Sequence, residues 1–241
     1  MEDAANDMNT FLRIFFSEMF PRFSTNPLHF AGESFGGHWV PSFVTHISQR
    51  QQLGVPGTFN GTFDSVILLD AVISYMTSGD GASYDHFCSP TSRVKFNQTA
   101  CQAMERTTPE CDYLAGQCVA TYNVNICKAA FEYCANVHAK WYNEYGPDQP
   151  DPYNDRYVCI DDAFACGHFD MRFVDYLNRA DVQKGLGFDG TFKYKVFNAE
   201  INRSWGMRAA IAVPTTREVS YILDDTRTKV LVVNGNNDII V

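Results

Sequence analysis

The apolar stretch Leu28-His29-Phe30-Ala31 runs directly into Gly32-Glu33-Ser34-Phe35-Gly36, and a helix-forming pattern follows from residue 35 to residue 52. A strand joined to a helix by G-x-S-x-G permits few folds. The serine must leave the sheet end on a sharp turn with its Oγ exposed, and small residues must let the strand and helix backbones pass closely. Ser34 is therefore the candidate nucleophile. By composition alone the five-residue pattern recurs in roughly one chain in twelve of this length, so its surroundings decide its meaning.

Those surroundings read as α/β. Residues 4–20 carry Met8, Leu12, Phe15, Phe16 and Met19 at helical spacing, which predicts an amphipathic helix stopped by Pro21. Residues 28–32 form a short strand, 35–52 a helix containing Pro41, and 65–71 a second strand. Its uninterrupted apolar run suits burial on both faces of a parallel sheet. Helix, strand, turn, helix, strand is the α/β order. From about residue 75 to 167 the periodicity dissolves into Cys, Pro, Gly and aromatic residues, with one helix predicted over 126–145. Regular patterns resume with helices over 173–186 and 213–224, then a buried strand, Lys229-Val230-Leu231-Val232-Val233. That strand ends in Asn234-Gly235-Asn236-Asn237-Asp238, at the sheet edge where catalytic groups collect in open α/β folds. The expected organisation is core over 1–74 with the elbow, a disulfide-rich cap insertion over 75–170, and core again over 171–241, ending at a candidate acid. A loop-rich decoration without a role is the alternative for the middle segment.

Nineteen Lys and Arg against 28 Asp and Glu leave a net charge of -9, which disfavours nucleic-acid and anionic-membrane partners. No apolar run approaches the roughly 20 residues that span a bilayer. All eight cysteines fall between Cys88 and Cys166, at successive gaps of 13, 10, 7, 9, 7, 25 and 7. Zinc sites favour paired C-x2-C spacings, so disulfides are expected instead. Asn60, Asn97 and Asn202 head N-x-[ST] sequons and are candidate glycosylation sites. Met1-Glu2-Asp3 opens an acidic N-terminus unlike a secretory signal. Either the cysteines are reduced in a cytosolic protein, or the chain begins inside a longer secretory or vacuolar precursor; the cysteine density favours the second.

A nucleophilic serine needs a base to take its proton and an acid to orient that base, in chain order Ser, Asp/Glu, His in α/β-hydrolases. Asp238 suits the acid, although Asp after Asn and Gly is also a common turn residue. The six histidines, His29, His38, His46, His86, His138 and His168, all precede Asp238. His38 stands one helical turn past Ser34 and faces the helix surroundings, a structural position. His29 and His46 lie on a strand and a helix face. His86, His138 and His168 fall in or beside the insertion, where spacing assigns no role.

The run Ala31-Gly32-Glu33-Ser34-Phe35-Gly36-Gly37-His38-Trp39-Val40-Pro41 resembles the G-E-S-Y-[AG]-G-H-Y-[IV]-P signature of serine carboxypeptidases of the carboxypeptidase Y type, a branch of the α/β-hydrolases. Asp175-Tyr176-Leu177-Asn178, with Val182 beyond, resembles their D-Y-L-N-x-x-x-V segment. Residues 229–238 resemble their V-L-[IV]-Y-x-G-D-x-D strand and acid turn, with Asn236 in place of the first Asp and Asp238 at the catalytic one. The resemblance implies an α/β-hydrolase fold with a partial parallel-sheet core and removal of C-terminal residues from peptides or proteins through an acyl-enzyme at Ser34. It implies half an oxyanion hole at the Phe35 N–H, and binding of the substrate carboxyl by Glu33. Two carboxylates cannot share a hydrogen bond, so Glu33 would act protonated, at acidic pH. No cofactor or metal is required.

The resemblance also implies pairing of Cys88 with Cys101, Cys111 with Cys134, Cys118 with Cys127 and Cys159 with Cys166. It implies a vacuolar, lysosome-like or extracellular location. Two family segments have no counterpart in the chain: the upstream W-x-[NS]-G-G-P-G and the downstream G-x-x-H-x-[VA]-P with the catalytic histidine. The expectation is thus a fragment nearly inert alone. Alternatives are an acyltransferase using the same triad and a non-catalytic remnant.

Overall fold

Three apolar runs become three neighbouring parallel strands. The computed structural model describes the backbone of residues 1–76, 83–143, 148–160, 166, 168, 170–204 and 212–240, and their side chains except at 83, 136–143 and 202–204. Helix α1 (Glu2–Ile14) passes into a π-helical turn (Phe15–Met19) and, after Phe20, a 3-10 turn (Pro21–Phe23). Strand β1 (Leu28–Ser34), helix α2 (Gly36–Gln52) and strand β2 (Phe63–Ala71) follow. Next come α3 (Ser83–Cys88), α4 (Gln98–Thr121), α5 (Val124–Asn143), the antiparallel pair β3 (Pro150–Asp151) and β4 (Asn154–Val158), and the short helices α6 (Arg172–Leu177), α7 (Ala180–Gly185) and α8 (Ala199–Ser204). Helix α9 (Thr216–Asp225) leads into β5 (Lys229–Val233). The main sheet has the order β1-β2-β5, with every pairing parallel.

The core lies where α2 meets the sheet, between α1 and α9. Val44, Ile47, Val66, Leu68 and Ile222 are fully buried there, with Leu12, Phe59 and Phe63 around them. Each such aliphatic side chain contributes about 1.5–3 kcal/mol on burial. Pro41 sits inside α2 and has no N–H to give Gly37 O, the carbonyl four residues back. The buried Thr215 hydroxyl takes that place, donating to Gly37 O at 2.6 Å. Thr215 also donates its N–H to Ile73 O at 2.9 Å, so one residue ties α2 to the chain leaving β2.

The expected elements shift in four places. The helix predicted over 4–20 is α-helical only to Ile14. The helix expected over 173–186 is two, because Asn178 turns its amide onto Val174 O and Tyr194 O while Arg179 is extended. The middle segment holds a 24-residue helix, α4, that the pattern did not suggest; Asn97 Oδ1 caps it by accepting the Ala100 N–H at 2.8 Å. Strand β5 was expected to be buried, yet Leu231, Val232 and Val233 are 52 %, 51 % and 45 % exposed. Among the described residues it pairs with β2 alone and so forms an edge of this sheet.

Disulfides join Cys88 to Cys101, Cys111 to Cys134, Cys118 to Cys127 and Cys159 to Cys166. The nested pair staples α4 to α5, and Cys118 and Cys127 pack with Met76 and Ala212 in a second buried cluster. Tyr122, at the α4–α5 corner with φ 51, hydrogen-bonds Thr216, and the Arg217 guanidinium stands 4.7 Å over its ring.

Candidate active site

Ser34 closes β1 with φ 55, a left-handed conformation that costs a non-glycine residue about 1–2 kcal/mol. The turn is held from both sides. Ser34 pairs with Ala71 across the sheet, its carbonyl accepts the Val72 N–H at 2.9 Å, and Phe35 is already helical before α2 begins. Gly32 has to be glycine: a Cβ there would stand 2.8 Å from Val40 Cγ2 and 2.9 Å from Gly36 Cα. Ser34 and Glu33 are exposed, and Phe35 is half-buried. The Phe35 ring stacks on His38 with 4.6 Å between centroids, and the His38 nitrogens lie 2.5 Å from Val72 O and 3.0 Å from Val213 O. His38 is thus a buried brace beneath the elbow.

Asp238 lies five residues past the end of β5. Its N–H reaches Gly235 O at 3.3 Å, and its carboxylate accepts the Ile240 N–H at 2.7 Å. Because β2 separates β1 from β5, Ser34 and the Asp238 turn rise from strands two spacings apart, about 10 Å. Two residues not singled out from sequence stand beside them. Asp70, at the end of β2 with φ 39, accepts the Gly235 N–H at 2.5 Å and so draws the Asp238 turn onto the sheet end. Tyr153 has its phenol pushed above the usual range, first by burial and then by the charges of Asp238 and Asp151. Neither has a local motif; Gly235 and Asp238, which they meet, are distant from them in sequence.

The histidine rings engage other groups. His29 Nδ1 lies 2.7 Å from Ser65 Oγ, His46 Nε2 2.9 Å from Asn6 Oδ1, His86 Nε2 3.5 Å from Asp155, and His168 Nε2 2.8 Å from Val158 O. The side chains of His138 and Asn202 lie outside the described residues. Asn60 and Asn97 are exposed. A cavity of about 530 Å³ lined by Arg50, Gln51, Phe63 and Thr228 opens at the other end of the strands, away from Ser34. Among the described residues, no three His, Cys, Asp or Glu side chains converge as a metal site.

The serine carboxypeptidase family model matches residues 1–241. The chain belongs to the serine carboxypeptidase family. Similar curated family proteins include carboxypeptidase Y homolog A of Botryotinia fuckeliana, 28 % identical over 98 % of this chain and 41 % of that protein. The Coccidioides posadasii homolog is 26 % identical, over 98 % of this chain and 42 % of that one. This serine carboxypeptidase chain therefore spans about two fifths of the length of the curated relatives it matches. The solved structure of Kex1(delta)p, a prohormone-processing carboxypeptidase from Saccharomyces cerevisiae, superposes with a TM-score of 0.70 at 15 % identity, covering 99 % of this chain and 50 % of that one. The fold is that of a serine carboxypeptidase, an α/β-hydrolase, here with a parallel three-stranded sheet and four disulfides.

Proposed function

We propose that the chain carries the nucleophile and acid of a serine-type carboxypeptidase that releases C-terminal residues from peptides or proteins. The observation that carries this reading is the left-handed Ser34 between parallel β1 and α2, with the Asp238 turn two strands along. Ser34 Oγ attacks the scissile carbonyl, forms the acyl-enzyme and expels the C-terminal amino acid; water then releases the acyl group. The Phe35 N–H, at the head of α2, stabilises the oxyanion, and removal of one such donor costs about 10²–10³-fold in rate. Exposed Glu33 beside Ser34 receives the substrate's terminal carboxyl group, and Asp238 orients the base. His29, His38, His46, His86 and His168 have the partners described above, so the base is assigned outside the described side chains. Residues 75–170 form a cap insertion between two parts of the core. Paired cysteines and exposed Asn60 and Asn97 suit a vacuolar, lysosome-like or extracellular setting.

A fluorophosphonate probe tests the nucleophile. Stoichiometric labelling of Ser34, abolished in Ser34→Ala, is expected once the chain is extended by the segment that supplies the base. Failure of that extended chain to label would refute the assignment. Release of a free amino acid from an N-blocked dipeptide identifies the peptidase, whereas transfer from an ester donor to an alcohol acceptor identifies an acyltransferase.

A further inference from the structure

The turn that carries Asp238 is held by more than the sheet. Two backbone hydrogen bonds flank the residue, and both run to the β3–β4 hairpin: Asp155 N–H donates to Asn237 O at 2.9 Å, and Ile239 N–H donates to Pro152 O at 3.0 Å. The hairpin is itself fixed. Asp151 Oδ1 accepts the Tyr153 N–H at 2.9 Å, and Pro150 and Asp151 are buried. Ile239 packs against the aromatic cluster of Phe87 and Phe96 beside the Cys88–Cys101 bridge. The residues on either side of Asp238 thus lean on one cysteine-rich region.

At the hairpin's centre is a charge. The Asp155 carboxylate is only 5 % exposed, and a carboxylate so placed needs partners. Arg93 Nε lies 3.3 Å from one oxygen and His86 Nε2 3.5 Å from the other. With its nitrogen turned toward Asp155, the Asn237 amide donates to the same carboxylate at 3.2 Å and accepts from Arg156 at 3.3 Å. One buried anion therefore gathers α3, the loop before α4 and the acid turn itself. The His86 pKa is lowered, because burial outweighs the opposing charge of Asp155.

We propose that Asp155 is a positioning residue for Asp238. The hairpin and its buried carboxylate hold the acid turn against the sheet end, so the disulfide-braced segment supports the triad's acid. The proposal rests on the reading of Asp238 as that acid. Its physical content, a turn clamped by Asp155, is measurable without catalysis.

Amide hydrogen exchange on the oxidised 241-residue chain tests it. In Asp155→Asn, exchange at the Asp238, Ile239 and Ile240 amides should accelerate about tenfold or more, while Val66, Ile67 and Leu68 in β2 keep their rates. Arg93→Gln, at an exposed side chain, should produce a smaller acceleration at the same amides and serves if Asp155→Asn does not fold. Asp155→Glu, which keeps the charge, should restore most of the protection. Tyr153 adds a signature that general loosening does not mimic: its phenol titration should move down in Asp155→Asn, as in Asp238→Asn, because the Asp238 charge has moved away. Unchanged exchange at 238–240, or equal acceleration in β2 and the turn, overturns the proposal. Loss of protection at the turn, together with failure of Ser34 to label in the extended chain, would sustain the clamp and reject the carboxypeptidase reading instead.

Discussion

Adjacent glycines at the elbow should respond to alanine with opposite signs. A Cβ at Gly36 meets nothing within 4 Å, whereas one at Gly37 would lie 2.5 Å from Val72 O, 2.7 Å from Val72 C and 2.9 Å from Val72 N. All three of those atoms are backbone, so α2 has to move away from the end of β2. Overpacking of that kind costs about 1–3 kcal/mol. The shift also pulls on two short hydrogen bonds, Thr215 Oγ1 to Gly37 O at 2.6 Å and His38 Nδ1 to Val72 O at 2.5 Å. Weakening them adds about 1 kcal/mol each. Against this, alanine gains up to about 1 kcal/mol over glycine within a helix. Gly37→Ala should therefore destabilise by about 2–4 kcal/mol, and Gly36→Ala should stabilise by about 0.5–1 kcal/mol. Urea unfolding of the oxidised chain measures both: with a slope of about 3 kcal/mol per molar, the midpoints should separate by about 1 M or more. Equal midpoints would refute the claim that close approach of α2 to Val72 requires glycine at 37.

Asn9 is buried, donates to Gly57 O at 3.1 Å and accepts the Phe59 N–H at 2.8 Å. Asn9→Ala strands both backbone groups and should cost about 2–4 kcal/mol in urea unfolding; a loss below about 0.5 kcal/mol would show that the loop finds other partners. The Cys111–Cys134 bridge closes 23 residues, and replacing both cysteines by alanine should lower stability by about 3 kcal/mol, read from the shift in unfolding midpoint. Burial and then Arg50 lower the His46 pKa, with Glu2 opposing. Its contribution to stability is full above about pH 6.5 and is lost as pH falls through the lower folded value. His46→Gln should flatten that decline in unfolding midpoints collected between about pH 7 and pH 5, and an unaltered decline would reject it.

What was legible in the chain was local. G-x-S-x-G demands a strained serine between strand and helix, and Ser34 has it. The apolar runs of β2 and β5 announce strands, but an edge strand and a central strand share the same composition, so the exposure of β5 was not readable. Helix α4 escaped because its buried stripe is Ala100, Met104, Cys111, Ala115 and Cys118. Small residues and half-cystines make a weak apolar signal, and the cysteines drew attention as staples. The supports of the acid turn were hidden for another reason. Asp70 meets Gly235 across 165 positions, and Asp155 meets Arg93, His86 and Asn237 from four separate stretches. No spacing rule links residues that only the folded topology brings together.

The parallel pairing of β2 with β5 also sets an order of events. The elbow side, α1 through β2, is continuous in sequence and closes through neighbouring segments. Strand β5 can reach β2 only after the chain from Val72 to Thr228 has been gathered in, and closure entropy grows with that length. The four bridges close 13, 23, 9 and 7 residues wholly inside this loop. Each removes slack from it without spanning it. Oxidation should therefore hasten the docking of β5 while leaving the rate of elbow formation nearly unchanged, so that redox conditions during biosynthesis govern when the Asp238 turn arrives beside Ser34.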